Sequence, residues 1–176
     1  ILVDNNISFY CPYLPHQCGR KSLPNLAGDL DIYIKSTFKP STKFHLLGFS
    51  MGGLIIRYWL QNLGGSLYTN RFFSVGTPHF GTFTADLIPT NSFQGISDMK
   101  TNSPFLRSLN EDLSLLKNIS CNSYGCRADL MVIPYTNSFL PFGVAKTLPS
   151  LTHRSLITNR KSISILLDDL LVNQLS

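Results

Sequence analysis

One serine of the chain lies between glycines, at the point where an apolar run gives way to another. The stretch HLLGFSMGGL covers residues 45–54, and Gly48, Ser50 and Gly52 match the pattern G-x-S-x-G. A serine in a strained strand-to-helix turn projects its hydroxyl above the edge of a sheet, and small residues two positions before and after it let strand and helix pass closely. The pattern predicts Ser50 as a nucleophile.

The backbone around Ser50 is suited to the same chemistry. The Met51 N–H would lie at a helix N-terminus, where unpaired donors and the positive end of the helix dipole favour a developing oxyanion. The alternatives are a phosphate-binding turn or an ordinary strand-to-helix loop. A Walker loop needs a lysine after its last glycine, and Leu54 follows Gly53 instead. We therefore expect Met51 to be an oxyanion donor.

The remaining elements alternate along the chain. Short β-branched or aromatic runs predict strands, and apolar residues at helical spacing predict helices. We expect strands over 6–11, 43–47, 72–75, 118–123 and 144–148, and helices over 23–35, 54–63, 103–116 and 162–175. Strands that alternate with helices pair in parallel through right-handed crossovers. The sequence thus predicts one three-layer α/β domain over residues 1–176 with a mostly parallel sheet.

Two motifs carry a resemblance to a known family. HLLGFSMGGLIIRYWLQ, the later SVGTPHFGT and the chain order serine, aspartate, histidine resemble lipases and esterases of the α/β-hydrolase superfamily. The small bacterial triacylglycerol lipases and the lipase-like group that includes GPI-inositol deacylases are the most similar. The resemblance covers nearly the whole chain from about Asn6, and the G-x-S-x-G turn is its most specific part. It implies an α/β-hydrolase fold and ester hydrolysis without a metal or an organic cofactor.

A nucleophilic serine needs a base, and the chain has four histidines. His153 lies in a loop between the last predicted strand and the last predicted helix, where the hydrolase order places the base. His79, in TPHFGT, is the second candidate, and the resemblance makes it a residue that shapes a loop near the site. His45 lies inside a predicted strand, and His16 precedes the serine. We expect His153 to be the base.

The base in turn needs an orienting acid, and Asp129 fits the family order. It follows the predicted strand 118–123 and opens DLMVIP, which resembles the family's segment of acid, apolar run and proline. The alternative is an aspartate that caps a turn. Four other aspartates are interpreted as surface or capping charges: Asp86, Asp98, Asp168 and Asp169. Ser50, Asp129 and His153 thus form the predicted catalytic triad.

One feature of the family has no counterpart. Its members carry an early strand that ends in a His-Gly loop and supplies a second oxyanion N–H. No His-Gly pair occurs here, and only five residues precede Asn6. We therefore expect a sheet that lacks this strand, in a chain that is incomplete or shortened at its N-terminus. A catalytically weak or inactive hydrolase-like protein and a lipid acyltransferase or deacylase remain the alternatives to an esterase.

Composition limits the partners. The 176 residues are 43% hydrophobic with a net charge of +5, and the basic residues are scattered rather than clustered as in a nucleic-acid binder.

The apolar residues near the predicted site indicate a hydrophobic ester or lipid substrate and transient contact with a lipid surface. They are Phe49, Met51, Phe80, Phe83, Phe139, Leu140 and Phe142. The segment 83–103 is the predicted small cap. The oligomeric state stays open. A cytoplasmic location is slightly favoured, and a secreted one stays open.

The four cysteines form two local pairs, Cys11/Cys18 and Cys121/Cys126. Neither pair has the C-x-x-C spacing of a zinc site. Each is compatible with a small disulfide in an oxidising compartment or with free thiols.

Overall fold

A parallel sheet organises the molecule. The computed structural model describes residues 8–89 and 93–171. Its four strands are β1 (Phe44–Phe49), β2 (Thr69–Val75), β3 (Ser120–Gly125) and β4 (Val144–Thr147). They lie in the order β1-β2-β3-β4, and each neighbouring pair is parallel. All four coincide with predicted strands, which confirms the α/β class.

Helices cover both faces of this sheet. They are α1 (Leu23–Thr37), α2 (Met51–Asn62), α3 (Phe83–Asp86), α4 (Gln94–Asp98), α5 (Pro104–Glu111), α6 (Ser114–Lys117) and α7 (Arg160–Leu171). One core cluster joins α1, α2, α5 and α6 to one face of the sheet, and a second joins α7 to the other face. The predicted three layers are confirmed.

Strand β2 contributes side chains to the core clusters on both faces of the sheet. Phe72 belongs to the cluster beneath α1 and α2, and Phe73 belongs to the cluster beneath α7. Both side chains are fully buried. A strand that is buried on both faces is typical of a parallel sheet with helices on each side.

The ends of two helices follow from local hydrogen bonds. Ser22 caps α1, since its Oγ accepts the Asn25 N–H at 3.3 Å, and the residues at helical spacing after it are buried as predicted. Asn159 Oδ1 accepts the N–H groups of Lys161 (2.9 Å) and Ser162 (3.2 Å), which starts α7 two residues before the predicted position. Residues 172–175 of the predicted helix lie outside the described residues.

The strand predicted over residues 6–11 is wrong in its described part. Ser8–Cys11 form no strand, and Phe9 and Tyr10 are each 59% exposed. Asn6 and Ile7 lie outside the described residues. Strand propensity takes effect only beside a partner strand, and no strand of the described residues lies next to this segment. Tyr10 instead packs edge-on against Phe38, with ring centroids 4.8 Å apart. Within the described chain, β1 pairs with a strand on one side only, that of β2.

The helix predicted over residues 103–116 is broken in two. α5 ends at Glu111, and α6 begins at Ser114. The break lies at Asp112, whose Oδ1 accepts the Ser114 N–H at 2.8 Å. An aspartate that bonds to the backbone two residues ahead competes with the helical pattern, and periodicity does not reveal this.

All four cysteines are free thiols. Cys121 lies in β3 and Cys126 directly follows it, so the extended strand holds the two too far apart for a disulfide. Among residues 8–89 and 93–171, no helix combines the length and the apolar character that crossing a membrane requires.

Candidate active site

Ser50 occupies a strained turn between β1 and α2. Its φ of 53° and ψ of −126° lie outside the regions that ordinary side chains adopt. The Ser50 N–H donates to the Val75 carbonyl of β2 at 2.8 Å, and the Gly53 N–H donates to the Ser50 carbonyl at 3.1 Å. The turn is therefore held from both sides. Strain of this kind persists only where the surroundings enforce it, and it concentrates at functional sites.

Gly48 and Gly53 make this turn possible, and Gly53 is not one of the two glycines of the pattern G-x-S-x-G. A Cβ on Gly48 would lie 2.5 Å from the Gly53 Cα, and a Cβ on Gly53 would overlap the Thr77 side chain. A Cβ on Gly52 would meet nothing within 4 Å. The sequence analysis assigned the close approach after the serine to Gly52. The structure assigns it to Gly53, because that position faces the strand and the loop after β2.

Asp129 and His153 are joined by a hydrogen bond. His153 Nδ1 lies 2.7 Å from Asp129 Oδ2, and since an ionised carboxylate only accepts, the imidazole donates. Asp129 Oδ1 accepts the N–H groups of Met131 (2.8 Å) and Val132 (3.2 Å), so the carboxylate is fixed at both oxygens. The Asp129 side chain is fully buried. In this tautomer the second imidazole nitrogen, Nε2, is left as an acceptor.

The imidazole lies beside the serine turn. The rings of His153 and Phe49, the residue before Ser50, have centroids 4.8 Å apart. A Cβ on Gly76 would lie 2.9 Å from His153 Cε1, and Gly76 follows Val75, the residue that holds the Ser50 N–H. His153 Nε2 is buried and has no hydrogen-bond partner within the described chain. The structure thus joins His153 to Asp129 directly and places its ring beside the turn that holds Ser50, whereas His153 Nε2 and the Ser50 hydroxyl form no hydrogen bond with each other.

Comparisons with known proteins give the fold. The chain matches the mature form of the Bacillus licheniformis lipase BlEst2 at 16% identity and a TM-score of 0.72, over 86% of this chain and 75% of that one. The chain has the α/β-hydrolase fold. Aspergillus fumigatus lipase B matches at 14% identity and a TM-score of 0.66, over 82% of this chain but only 40% of that one. The α/β hydrolase MGS-MChE2, from a lagoon-sediment metagenome, matches at 14% identity and a TM-score of 0.60, over 95% and 77% of the two chains.

The sequence comparisons add nothing to this, since no protein-family model and no curated protein matches the chain.

His79 has a different environment from His153 in this α/β-hydrolase fold. It is fully buried, with Nδ1 3.3 Å from Arg57 Nη1 and Nε2 2.9 Å from Ser74 Oγ. Arginine only donates, so Nδ1 accepts and Nε2 donates to the serine. Burial, assisted by the Arg57 charge, holds the pKa of His79 well below the usual histidine value. Both nitrogens are engaged, which supports its interpretation as a loop-shaping residue.

The other two histidines lie apart from this arrangement. His45 is exposed on β1, edge-on to Phe73 with ring centroids 6.5 Å apart. Its pKa is lowered by partial burial and by the charge of Arg71. His16 is exposed in the loop before α1.

A small cavity opens beside Ser50. Its volume is about 120 Å³, and apolar atoms dominate its wall. The lining residues are Ser50, Pro78, Thr82, Thr84, Ala85, Ile88, Ile96, Met99, Met131 and Val132. None of the seven apolar residues predicted near the site lines this cavity. Leu140 belongs to the main core cluster, and the Phe49 ring lies against His153. A larger cavity of about 590 Å³ borders Phe80 and α5 and reaches none of Ser50, Asp129 and His153.

Thr82 is a site residue that the sequence analysis did not single out. Its Oγ1 donates to the Met131 carbonyl at 2.8 Å and accepts the Ile133 N–H at 2.9 Å. The neighbouring Thr84 Oγ1 donates to the Leu130 carbonyl at 3.0 Å. These bonds fasten the loop after β2 to the segment that follows Asp129. The motif TPHFGT marked this loop, but the partner of its last threonine is distant in sequence.

Proposed function

We propose that the chain is a serine hydrolase that cleaves carboxylic esters, with Ser50 as nucleophile, His153 as general base and Asp129 as the residue that orients the base. The observation that carries this proposal is the Asp129–His153 hydrogen bond of 2.7 Å. It leaves Nε2 as an acceptor on an imidazole whose ring lies against Phe49, the residue before Ser50 in the strained strand-to-helix turn. A nucleophile, its base and a group that orients the base are the requirements for acyl transfer.

The reaction proceeds in two half-reactions. Ser50 Oγ attacks the ester carbonyl and its proton passes to His153 Nε2, while the Met51 N–H donates to the oxygen that becomes negative. The carbonyl–alkoxy bond breaks, and the leaving alcohol takes the proton from the imidazole. Water then attacks the acyl group on Ser50, with His153 again taking and returning a proton. The acid is released, and the serine is restored.

Asp129 supports both half-reactions without exchanging a proton itself. The backbone N–H groups of Met131 and Val132 hold its Oδ1, which turns Oδ2 toward His153. The carboxylate therefore fixes the tautomer and stabilises the imidazolium that forms each time Ser50 or water loses a proton.

A hydrophobic ester, presented at a lipid surface, is the favoured substrate. Large apolar side chains are exposed on α3, directly after it, and in the segment that follows Asp129, all next to the cavity: Phe83 (54%), Leu87 (68%), Leu130 (75%) and Met131 (54%). Clustered exposed apolar side chains mark surfaces that contact lipid or other apolar partners. The structural neighbours include proteins described as lipases, which agrees with this choice.

Hydrolysis of p-nitrophenyl butyrate tests the proposal. We expect Ser50→Ala to remove turnover, with a loss on the order of 10⁶ in kcat if the triad acts as a unit. The matched control is Ser36→Ala, which changes an exposed serine of α1 that bonds only to its own helix. Ester turnover that survives in Ser50→Ala would show that another group is the nucleophile. Addition of alcohol acceptors then separates hydrolysis from acyl transfer by the products formed.

A further inference from the structure

The cavity beside Ser50 is small for a ligand site. Its volume of about 120 Å³ lies below the roughly 300–1,000 Å³ that is usual for small-molecule pockets. An apolar cavity of roughly 150 Å³ holds the six carbons of benzene. By proportion, the space beside Ser50 accommodates about four or five carbon atoms.

The part of the cavity wall that Ile96 and Met99 form is fixed to the rest of the molecule. Ile96 of α4 lies against Gly19, where an added Cβ would approach Ile96 Cγ1 to 2.8 Å. A Cβ on Gly95 would lie 2.5 Å from the Lys21 carbonyl oxygen. Helix α4 therefore presses directly on the backbone of the segment before α1, with no free space into which Ile96 can retreat.

Hydrogen bonds hold the same wall from both ends. The buried Asp98 accepts the Leu23 N–H at the start of α1 on Oδ2 at 2.8 Å, and its Oδ1 accepts Gln94 Nε2 at 2.9 Å. The Thr82 N–H donates to the Met99 carbonyl at 3.1 Å. The Met99 side chain packs against the main core cluster. Enlarging the cavity on the side of Ile96 and Met99 would break these bonds or displace core side chains.

We propose that this cavity receives the acyl group of the ester and restricts the enzyme to acyl chains of about four carbons, with Ile96 and Met99 as the residues that set the limit. The inference rests on the proposed hydrolysis at Ser50. It follows from the position of Ser50 in the cavity wall and from the contacts and hydrogen bonds that hold Ile96 and Met99 in place. The exposed apolar loops contact the alcohol part of the substrate or the surface that presents it.

A series of p-nitrophenyl esters measures the limit directly. We expect kcat/KM of the full chain to rise from acetate to butyrate and to fall at least ~10-fold from butyrate to octanoate, since single methylenes in an apolar pocket already change rates by roughly 10–200-fold. A kcat/KM that is equal or higher for octanoate and laurate overturns the proposal. This comparison needs no variant and so does not depend on the folding of a mutant.

Ile96→Ala tests the residue that sets the limit. It removes three carbons from the cavity wall, and we expect the octanoate-to-butyrate ratio of kcat/KM to increase ~10-fold or more. The matched control is Ile32→Ala, which truncates an isoleucine that is 69% exposed on α1, and its ratio should equal that of the unaltered chain. An unchanged ratio in Ile96→Ala contradicts the role of Ile96.

The outcomes separate this inference from the function on which it rests. Hydrolysis of acetate that depends on Ser50, together with undiminished hydrolysis of long chains, refutes the size limit and leaves the esterase intact. Absence of hydrolysis for every ester in the series refutes the proposed function itself.

Discussion

Alanine at Gly53 and alanine at Gly52 should have opposite effects on stability, although the two positions are adjacent on the first turn of α2. A Cβ at position 53 would lie 2.7 Å from Thr77 Cγ2 and 2.8 Å from Thr77 Cβ, and would overlap the Thr77 hydroxyl. Thr77 is buried, and its hydroxyl has no hydrogen-bond partner among the described residues. At position 52 a Cβ would meet nothing within 4 Å.

The magnitudes follow from two opposing terms. Inserting a methyl group into a packed site costs about 1–3 kcal/mol, whereas replacing glycine with alanine inside a helix contributes roughly 0.5–1 kcal/mol. We expect Gly53→Ala to lower the free energy of unfolding by about 1–2 kcal/mol and Gly52→Ala to raise it by about 0.5–1 kcal/mol. The difference of roughly 2 kcal/mol corresponds to about 4–8 °C in Tm for a chain of this size.

Thermal and urea unfolding of the two variants measure this difference. The double variant Gly53→Ala/Thr77→Ala removes the overlapping hydroxyl and methyl groups and should recover part of the loss, whereas Thr77→Ala alone reports its own effect. A Gly53→Ala chain as stable as the unaltered chain would contradict the overlap with Thr77. A larger loss in the free energy of unfolding for Gly52→Ala than for Gly53→Ala would contradict it as well.

Two further predictions concern the side chains around the imidazoles. Asp129→Asn should lower kcat for p-nitrophenyl butyrate by about 10⁴ by presenting an amide donor to His153 Nδ1 and favouring the wrong tautomer, and a loss below tenfold would contradict the role of Asp129. In the folded chain His79 is neutral, because its pKa lies well below the usual histidine value. In the unfolded chain the same imidazole takes up a proton below about pH 6.5. The unfolded state therefore binds more protons than the folded state, and the free energy of unfolding falls as the pH falls. His79 contributes at most about 1.4 kcal/mol per pH unit to the change of the free energy of unfolding with pH. His79→Gln should remove this contribution from urea unfolding measured between pH 6.5 and 5.5. An unaltered pH dependence would mean that His79 is protonated in the folded chain or contributes nothing.

The parts of the fold that the sequence predicted well are those in which local pattern and tertiary environment agree. β2 contains the buried residues Phe72, Phe73 and Val75, which lie on both faces of the sheet, and α1 places five apolar residues on one buried side. Ser22 before α1 and the glycines after α2 supply the end signals that such patterns need. In these elements propensity, periodicity and burial all give the same result.

The failures arise where the deciding contact is distant in sequence. Residues 8–11 have strand propensity, but no strand lies beside them in the described chain, and Tyr10 packs on Phe38 instead. The pattern G-x-S-x-G predicts that Gly52 must lack a side chain. The structure instead excludes a side chain at Gly53, because Thr77 lies against that position. Ile96 and Met99 lie in the predicted cap 83–103, but neither is among the apolar residues predicted near the site, because their place in the cavity wall depends on the bonds that Asp98 and Met99 make to Leu23 and Thr82.

The aspartates illustrate how much of the site was accessible from chain order. Asp129 was chosen for its place between two predicted strands, and it is the aspartate that bonds to His153. Asp98 caps α1 through the Leu23 N–H, as a capping charge. Asp169 pairs with Lys146 at 2.6 Å and also accepts from the Tyr124 hydroxyl at 2.7 Å, so it fastens α7 to the sheet rather than lying free on the surface. Chain order selects Asp129 from the aspartates, but it does not reveal the partners of Asp98 and Asp169.

Covalent labelling of Ser50 tests the central claim most directly. A fluorophosphonate reacts with a serine only when a neighbouring base activates it, so peptide mass spectrometry after labelling identifies the activated residue. We expect one phosphonylated peptide, modified at Ser50, whose labelling is lost in His153→Ala and retained in His16→Ala. An unlabelled Ser50 in a folded chain, or labelling that persists in His153→Ala, would contradict the account.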